Sequence, residues 1–156
     1  MVKIRLDDEF YLKDATVFGI VSELPDHRIT FLLNNDLGLK LLRSTQDREL
    51  KSKGSVYSFS EFTFEHPVMR LFWCLTSNRG NTQMDVSPSN ILHSGKSIAL
   101  VSDLKTFDYF LWYDEVANQD VEAKLNTQLR KLPYVRAFQK IDLAKSKNIN
   151  NLLLEY

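Results

Sequence analysis

The hydrophobic residues of this chain fall into short segments that polar turns separate, a pattern typical of β-strands. Segments 14–23 and 107–113 have apolar or aromatic residues on both faces, so each predicts a strand buried on both sides of a sheet. Segments 56–64 and 69–76 flank Glu65-His66-Pro67 and predict a hairpin. The apolar face changes at Ser60-Glu61, which predicts a β-bulge in the first arm. Shorter strands are predicted at 2–6, 39–42, 98–101 and 134–141.

Two segments repeat their apolar residues at helical spacing instead. The apolar positions of the first segment are Ile29, Leu32, Leu33 and Leu37. Asp26 is expected to cap the N-terminus of this helix, and Gly38 is expected to end it. The apolar positions of the second segment are Val121, Leu125, Leu129 and Leu132. They form one face of a helix that Pro133 is expected to end.

The order of these elements predicts the fold class. Because two helices cannot cover both faces of a sheet with six or more strands, we expect an α+β fold. It would be a largely antiparallel twisted sheet with two helices packed mainly on one face, and the last strand–helix–strand unit fits a right-handed crossover. Charged residues 43–54 predict a solvated loop, and 78–96 the longest loop of the chain. The 156 residues predict a single domain over 1–147 and a C-terminal tail over 148–156.

Charge and composition narrow the class of protein. The 20 basic and 20 acidic residues give no net charge, which argues against a general nucleic-acid binder. No apolar stretch approaches the roughly 18 residues that a membrane span needs. Residues 1–8 turn acidic at once, unlike a secretory signal. These features predict a cytoplasmic protein that does not enter a membrane.

Residue types that could support catalysis are few and scattered. Cys74, the only cysteine, lies in an apolar segment and predicts a small core residue rather than a nucleophile. The carboxylate pairs Asp103 with Asp108 and Asp114 with Glu115 are the candidates for acid–base chemistry, and no neighbour in sequence suggests that their pKa values are tuned. The sequence therefore predicts a protein that is not an enzyme.

Metal and cofactor motifs are not found either. The three histidines lie in separate turns or loops at positions 27, 66 and 93. None has a second His or a Cys at ligand spacing, and there is no phosphate-binding glycine loop. We therefore expect neither a bound metal nor a cofactor.

One segment, Val101-Ser102-Asp103-Leu104-Lys105-Thr106-Phe107-Asp108-Tyr109, resembles the signature of the IPExxxVDY family of small bacterial proteins. Val101 stands at the position of Ile, Asp103 at that of Glu, and Phe107 at that of Val. Asp108 and Tyr109 are identical to the signature, whereas Ser102 replaces its Pro. The early helix, the aromatic hairpin and the last helix–strand unit are similar too. The resemblance implies no established activity and no cofactor.

The residues of this motif predict a structural role before any other. Asp103 begins a turn over 103–106, where its carboxylate is expected to accept from a backbone N–H two residues further on. Asp108 lies on the same strand face as aromatic side chains, so its charge requires N–H or cationic partners. A binding or catalytic pair, or an interface patch, are the alternatives.

Charge is unevenly distributed in the last third of the chain. Residues 108–122 contain five acids and no Lys or Arg, whereas 124–147 contain seven bases and one acid. Part of this pattern complements the dipole of the second helix. Alternatively, Lys131, Arg136 and Lys140 form a basic face, interleaved with the aromatic Tyr134 and Phe138, that binds RNA or an acidic partner.

These observations favour a non-catalytic cytoplasmic protein-interaction domain, an adaptor or accessory protein that binds an unknown protein or itself. Its docking segment would be the apolar tail, in cis or in trans. The tail residues are Leu152, Leu153, Leu154 and Tyr156. An RNA-associated accessory protein that uses the basic face is the alternative. A small-molecule-binding regulatory domain, with its pocket between the 107–113 strand and the long loop, is the third hypothesis.

Overall fold

The computed structural model describes residues 15–68, 71–82, 98–114 and 119–153. These residues form ten strands and three helices, with a 3₁₀ turn at Ser102–Leu104. The strands are β1 Ala15–Val21, β2 Leu42–Arg43, β3 Arg48–Ser52, β4 Ser55–Phe59, β5 Glu61–Glu65, β6 Phe72–Ser77, β7 Arg79–Thr82, β8 Ile98–Ala99, β9 Tyr109–Asp114 and β10 Ala137–Lys140. The helices are α1 Asp26–Leu37, α2 Gln119–Arg130 and α3 Asn150–Leu153. The strand predicted at 2–6 lies outside the described residues.

The main sheet has six strands in the order β10-β1-β9-β6-β5-β2, and each pairing in it is antiparallel. Its centre consists of β1, β9 and β6, whose sequences are apolar on both faces as predicted. Because β1 pairs antiparallel with both β9 and β10, these two strands run parallel to each other, and α2 connects them. The predicted strand–helix–strand crossover is therefore present.

Both long helices pack on the same face of the main sheet, which confirms the predicted α+β architecture. Ile29 and Leu33 of α1 and Leu125 and Leu129 of α2 are buried in one cluster with residues of β1, β6 and β9. Burying these apolar side chains stabilises the helix positions, at about 1.5–3 kcal/mol for each fully buried Leu or Ile.

The other face of the main sheet is covered by a second, four-stranded sheet in the order β3-β4-β7-β8. The prediction of a solvated loop at 43–54 is wrong, because Arg48–Ser52 is strand β3. A two-residue turn at Lys53-Gly54, with φ of 51° and 77°, joins β3 to β4. Positive φ at both positions is the geometry that a tight hairpin requires. The first residues of the predicted long loop also form a strand, β7.

The change of face at Ser60 is not a β-bulge within one strand. The chain leaves the small sheet after Phe59 and enters the main sheet at Glu61. Phe59 is buried on one side of the main sheet and Phe62 on the other. A bulge and a passage between two sheets produce the same local change of apolar phase, so the sequence pattern could not distinguish them.

Helix α1 ends as predicted and begins differently. Gly38 adopts the left-handed conformation with φ of 68°, which glycine takes without steric cost. At the other end Pro25 is the capping residue, and its carbonyl accepts from the Ile29 N–H at 3.0 Å. Asp26 is the first helical residue, and its carboxylate accepts from the His27 N–H at 2.6 Å. The prediction that Asp26 itself caps the helix is therefore wrong.

The described residues of the predicted C-terminal tail, 148–153, pack onto the domain. Ile149, Leu152 and Leu153 are buried among residues of β1, β6 and β9 in the second core cluster. Residues 149–153 thus share this core with described residues of β1, β6 and β9, whereas Leu154 and Tyr156 lie outside the described residues. Among the described residues, no helix is both long enough and apolar enough to cross a membrane.

Candidate functional site

The 101–109 motif is held in place by one buried side chain, Asn78, which is only 1% exposed. Its amide nitrogen donates to the carbonyl oxygens of Leu104 at 3.1 Å and Phe107 at 2.9 Å. Its amide oxygen accepts from the Val101 N–H at 2.9 Å. The sequence predicts a loop over 78–96, which includes Asn78. The missed signal is a polar amide directly after a strand whose first four residues, 72–75, are apolar.

Asp103 ties the motif to the C-terminal segment. Its carboxylate accepts from the Ser146 hydroxyl at 2.8 Å and from the N–H groups of Lys147 and Asn148 at 3.2 Å each. Desolvation raises the pKa of Asp103, but these bonds outweigh it and the pKa lies below its ordinary value. The partners expected two residues further on are instead more than forty residues away, so the predicted local turn bond is not the main role of Asp103.

Asp108 has the N–H and cationic partners that its position was predicted to require. One carboxylate oxygen accepts from the Ser22 N–H at 2.9 Å. The other accepts from Nε of Arg79 at 2.8 Å and lies 2.6 Å from Nη2 of the same guanidinium. The sequence did not identify Arg79 as this partner, because the two residues are 29 positions apart.

The other motif residues are packed. Val101 and Phe107 are buried in the second core cluster. The ring of Phe107 lies on Gly19, where an added Cβ would approach it to 2.6 Å. The Tyr109 hydroxyl donates to the Leu24 carbonyl at 2.6 Å. Burial, with a smaller effect of the Asp26 and Asp108 carboxylates, raises the pKa of Tyr109 to about 12.

Next to Asp108 and Tyr109 lies a polar cavity of about 440 Å³ that is lined by residues of both sheets and of α1, here called the polar cleft. Its lining residues are Asp26, Arg43, Asp47, Ser58, Ser60, Ser77, Arg79, Asn81, Thr82 and Tyr109. The cleft forms at the two places where the chain crosses between the sheets. At one crossing Phe59 is buried while its neighbours Ser58 and Ser60 line the cleft, and at the other Asn78 is buried while Ser77 and Arg79 line it.

The charges that line the polar cleft balance, since it contains two arginines and two aspartates. Arg43 pairs with Asp26 at 3.3 Å and with Asp47, and its guanidinium lies 5.3 Å from the centre of the Phe62 ring. Desolvation raises the pKa of Asp26. Its hydrogen bonds with Ser60 and His27 and the nearby Arg43 charge nevertheless bring that pKa below its ordinary value. Asp26 is therefore ionised at neutral pH.

The predicted basic face is largely occupied by internal contacts. Arg136 pairs with Glu23 at 2.9 Å, and Lys140 pairs with Glu122 of α2 at 3.0 Å. Lys131 is exposed at the end of α2.

The aromatic residues predicted to accompany this face also have internal partners. The Tyr134 hydroxyl donates to Asp36 at 2.8 Å, which together with burial raises the pKa of this phenol. The Phe138 ring packs against Phe18, with ring centres 6.3 Å apart. Both rings are half-buried and pack against the first core cluster.

The predicted docking tail is in contact with its own fold. Leu152 is fully buried and Leu153 is nearly so. Asn151 donates from its side-chain amide to the Leu100 carbonyl at 2.9 Å, and its own carbonyl accepts from Arg48 at 3.3 Å. These contacts hold the segment in cis.

Two of the remaining candidates for chemistry, Cys74 of β6 and Asp114 of β9, lie in the main sheet. Cys74 is buried, and this burial, with a contribution from the Glu61 charge, raises the pKa of its thiol. Asp114 accepts from the Phe72 N–H at 2.7 Å, and burial raises its pKa, while Glu115 and His93 lie outside the described residues. In the described part of the chain, no three His, Cys, Asp or Glu residues converge to hold a metal ion.

No protein-family model, no curated protein and no solved structure matches this chain. The resemblance of the 101–109 motif to the IPExxxVDY family therefore stays a prediction.

Proposed function

We propose that this protein is a non-catalytic cytoplasmic binding domain whose polar cleft takes a small polar solute. The observation that supports this most directly is the convergence of two arginines, two aspartates and several hydroxyl groups on one cavity. Its volume of about 440 Å³ lies within the range of small-ligand sites. Its lining includes Tyr109 of β9 and three residues of β7, Arg79, Asn81 and Thr82.

The described residues of the polar cleft favour binding over catalysis. They include three serines but no His or Cys. A serine nucleophile needs a neighbouring base to accept its proton. Asp26, which bonds to Ser60, has a lowered pKa and is therefore a weak base.

Titration of the ¹⁵N-labelled protein with a library of small polar metabolites tests this proposal. We expect at least one compound to shift the backbone resonances of Ser60, Arg79 and Asn81. The resonances of Val121 and Lys124 of α2, which do not line the cleft, should stay unchanged. If no compound shifts the resonances of the cleft, the proposal is wrong.

A protein-interaction domain is the second candidate, and a different cavity supports it. A groove of about 600 Å³, here called the apolar groove, lies between α1, α2 and the start of β6. It contains Trp73 with Leu37, Leu71, Val121 and Leu125, and it has Asp120 and Lys124 at its polar side. An aromatic anchor among apolar side chains with polar residues around it is typical of interface centres.

The apolar groove can be tested by changing Val121, which is half-buried and lines it. If the groove docks a partner, Val121→Glu should lose a protein that the wild type retains from cytoplasmic extract. Lys131→Glu, an exposed change outside the groove, should retain it. Equal retention by both variants would remove this candidate.

A further inference from the structure

Building on the proposed binding role of the polar cleft, we infer that its solute carries an oxyanion, a carboxylate or a phosphate, and that Arg79 receives it. Arg79 is 60% exposed and lines the cleft. It differs from Arg43 in that one edge of its guanidinium has no partner among the described residues.

Hydrogen bonds with Asp108 fix the orientation of the Arg79 guanidinium. Asp108 holds Nε and Nη2, and its own carboxylate is 15% exposed and bonded to the Ser22 N–H. The backbone directly before Arg79 is also bound to Asp108, because the Asn78 N–H donates to the Asp108 carbonyl at 2.9 Å. An arginine that is already oriented loses less conformational freedom when it binds a ligand.

The backbone on either side of Arg79 is equally constrained. Gly80 lies under the ring of Phe59, where an added Cβ would come within 2.4 Å of a ring carbon. The Ser77 hydroxyl lies 3.2 Å from both the N and the O of Arg79. The base of the Arg79 side chain is therefore placed by packing as well as by hydrogen bonds.

The donors left on Arg79 match an oxyanion. A guanidinium has five N–H groups, and the Nε–Nη2 edge is the one that faces Asp108. The edge formed by Nη1 and Nη2 stays open. Two parallel N–H groups on one edge are the arrangement that binds carboxylate and phosphate oxygens in pairs.

The other charges of the cleft favour Arg79 as the position of the anion. They also indicate which groups the rest of the solute carries. Both Nη atoms of Arg43 are engaged by Asp26 and Asp47, so Arg43 does not offer the same edge. The two carboxylates would repel an anion and can only accept hydrogen bonds. The solute is therefore expected to place its anion at Arg79 and hydroxyl or amine donors near Asp26 and Asp47.

The test compares three probes that share the six-carbon skeleton of glucose, namely glucose 6-phosphate, gluconate and glucose, with inorganic phosphate as a fourth. Binding is measured by NMR titration of the full chain, following the Nε–H resonance of Arg79 together with the backbone. We expect the phosphate or the carboxylate probe to bind about tenfold or more tightly than glucose, as charge-assisted hydrogen bonds do. Comparison of glucose 6-phosphate with gluconate distinguishes the two oxyanions.

Two variants and a matched control assign the effect to the open edge of Arg79. Arg79→Gln should weaken binding of the anionic probe by about 10- to 100-fold, the range for hydrogen bonds to charged groups. Arg79→Lys keeps the charge without the paired donors and should weaken it less. Arg136→Gln is the control, because Arg136 is 61% exposed and pairs with Glu23 at 2.9 Å but lies outside the cleft.

The outcomes separate the inference from the proposed function. Glucose binding as tightly as the anionic probes, with shifts in the cleft and no effect of Arg79→Gln, would overturn the inference and leave the proposed function intact. An unchanged Arg79 Nε–H resonance with all four probes would also overturn it. If Arg79→Gln does not fold, the wild-type titration and Arg79→Lys still decide the question.

Discussion

Replacing Asn78 by Ala should destabilise the protein more than any other single polar-to-alanine change in the 101–109 region. The substitution removes three hydrogen bonds at once and leaves the Val101 N–H and the Phe107 carbonyl without partners inside the core. The Leu104 carbonyl loses its amide partner in a less buried position. The backbone bonds of Asn78 stay in place, so the change isolates its side chain.

The size of the effect follows from these partners. A buried backbone group that loses its partner costs about 1–3 kcal/mol. Two such groups give a loss of about 2–6 kcal/mol in the free energy of unfolding. Because a domain of this kind is stable by about 5–15 kcal/mol in total, the variant should still fold but unfold at a clearly lower urea concentration.

Asn78→Asp tests the donor role of the amide more specifically, because it keeps the shape of the side chain. It replaces the amide donor with a second acceptor that faces the carbonyl oxygens of Leu104 and Phe107. We expect it to be at least as destabilising as Asn78→Ala. Asn81→Ala is the matched control, since Asn81 is exposed and should change stability by less than about 0.5 kcal/mol.

Equilibrium urea unfolding, followed by the fluorescence of Trp73 and Trp112, measures all three variants. A loss of less than 1 kcal/mol for Asn78→Ala would refute the reasoning. An Asn78→Asp variant as stable as the wild type would also refute it. A carboxylate at this position cannot donate to the two carbonyl groups that the Asn78 amide binds.

Three further predictions follow from the packing and the charges. Leu152→Ala should lower the unfolding free energy by about 2–5 kcal/mol in a thermal melt, whereas Leu42→Ala, at a side chain that is 73% exposed, should leave it nearly unchanged; equal effects would contradict docking of the C-terminal segment in cis. Gly19→Ala forces a Cβ against the Phe107 ring and should cost about 1–3 kcal/mol, part of which Phe107→Leu should restore in the double variant. Because the pKa of Asp103 lies below its ordinary value of 3.8 in the folded protein, its stabilising effect is present above that pH and is lost as the pH falls through the lowered value. Asp103→Asn should therefore make stability fall less steeply below about pH 4 in acid titration followed by circular dichroism, and an unchanged slope would count against the Asp103 contacts.

The sequence predicted well those elements whose pattern of apolar residues follows directly from which of their faces are buried. The central strands are apolar on both faces because helices cover one side and a second sheet covers the other. The two helices repeat their apolar residues at helical spacing for the same reason. Strand β3 was missed because only Leu50 among its five residues is apolar, and its pairing with β4 is what makes it a strand.

The sequence predicted which kinds of partner Asp108 needs, but not which residues supply them. The position of Asp108 required a cation or N–H donors, and the structure supplies both. The residues that supply them, Arg79 and Ser22, are separated from Asp108 along the chain by 29 and 86 positions. No periodicity or spacing rule reports such pairs. Ser22 meets Asp108 because β1 pairs with β9, and Arg79 meets it because the chain passes from β6 into the small sheet. The basic face shows the converse, since Glu23 and Glu122 pair with bases that look free in the sequence.

The position of β1 at the centre of the main sheet has a consequence for synthesis of the protein. Both of its partners are made much later, since β9 begins at Tyr109 and β10 at Ala137. Until then the apolar side chains of Val17, Phe18 and Ile20 have neither neighbouring strand to pack beside. A nascent chain with an exposed apolar strand is prone to associate with other chains. We therefore expect chaperone supply and translation rate to influence the yield of folded protein more than its final stability does.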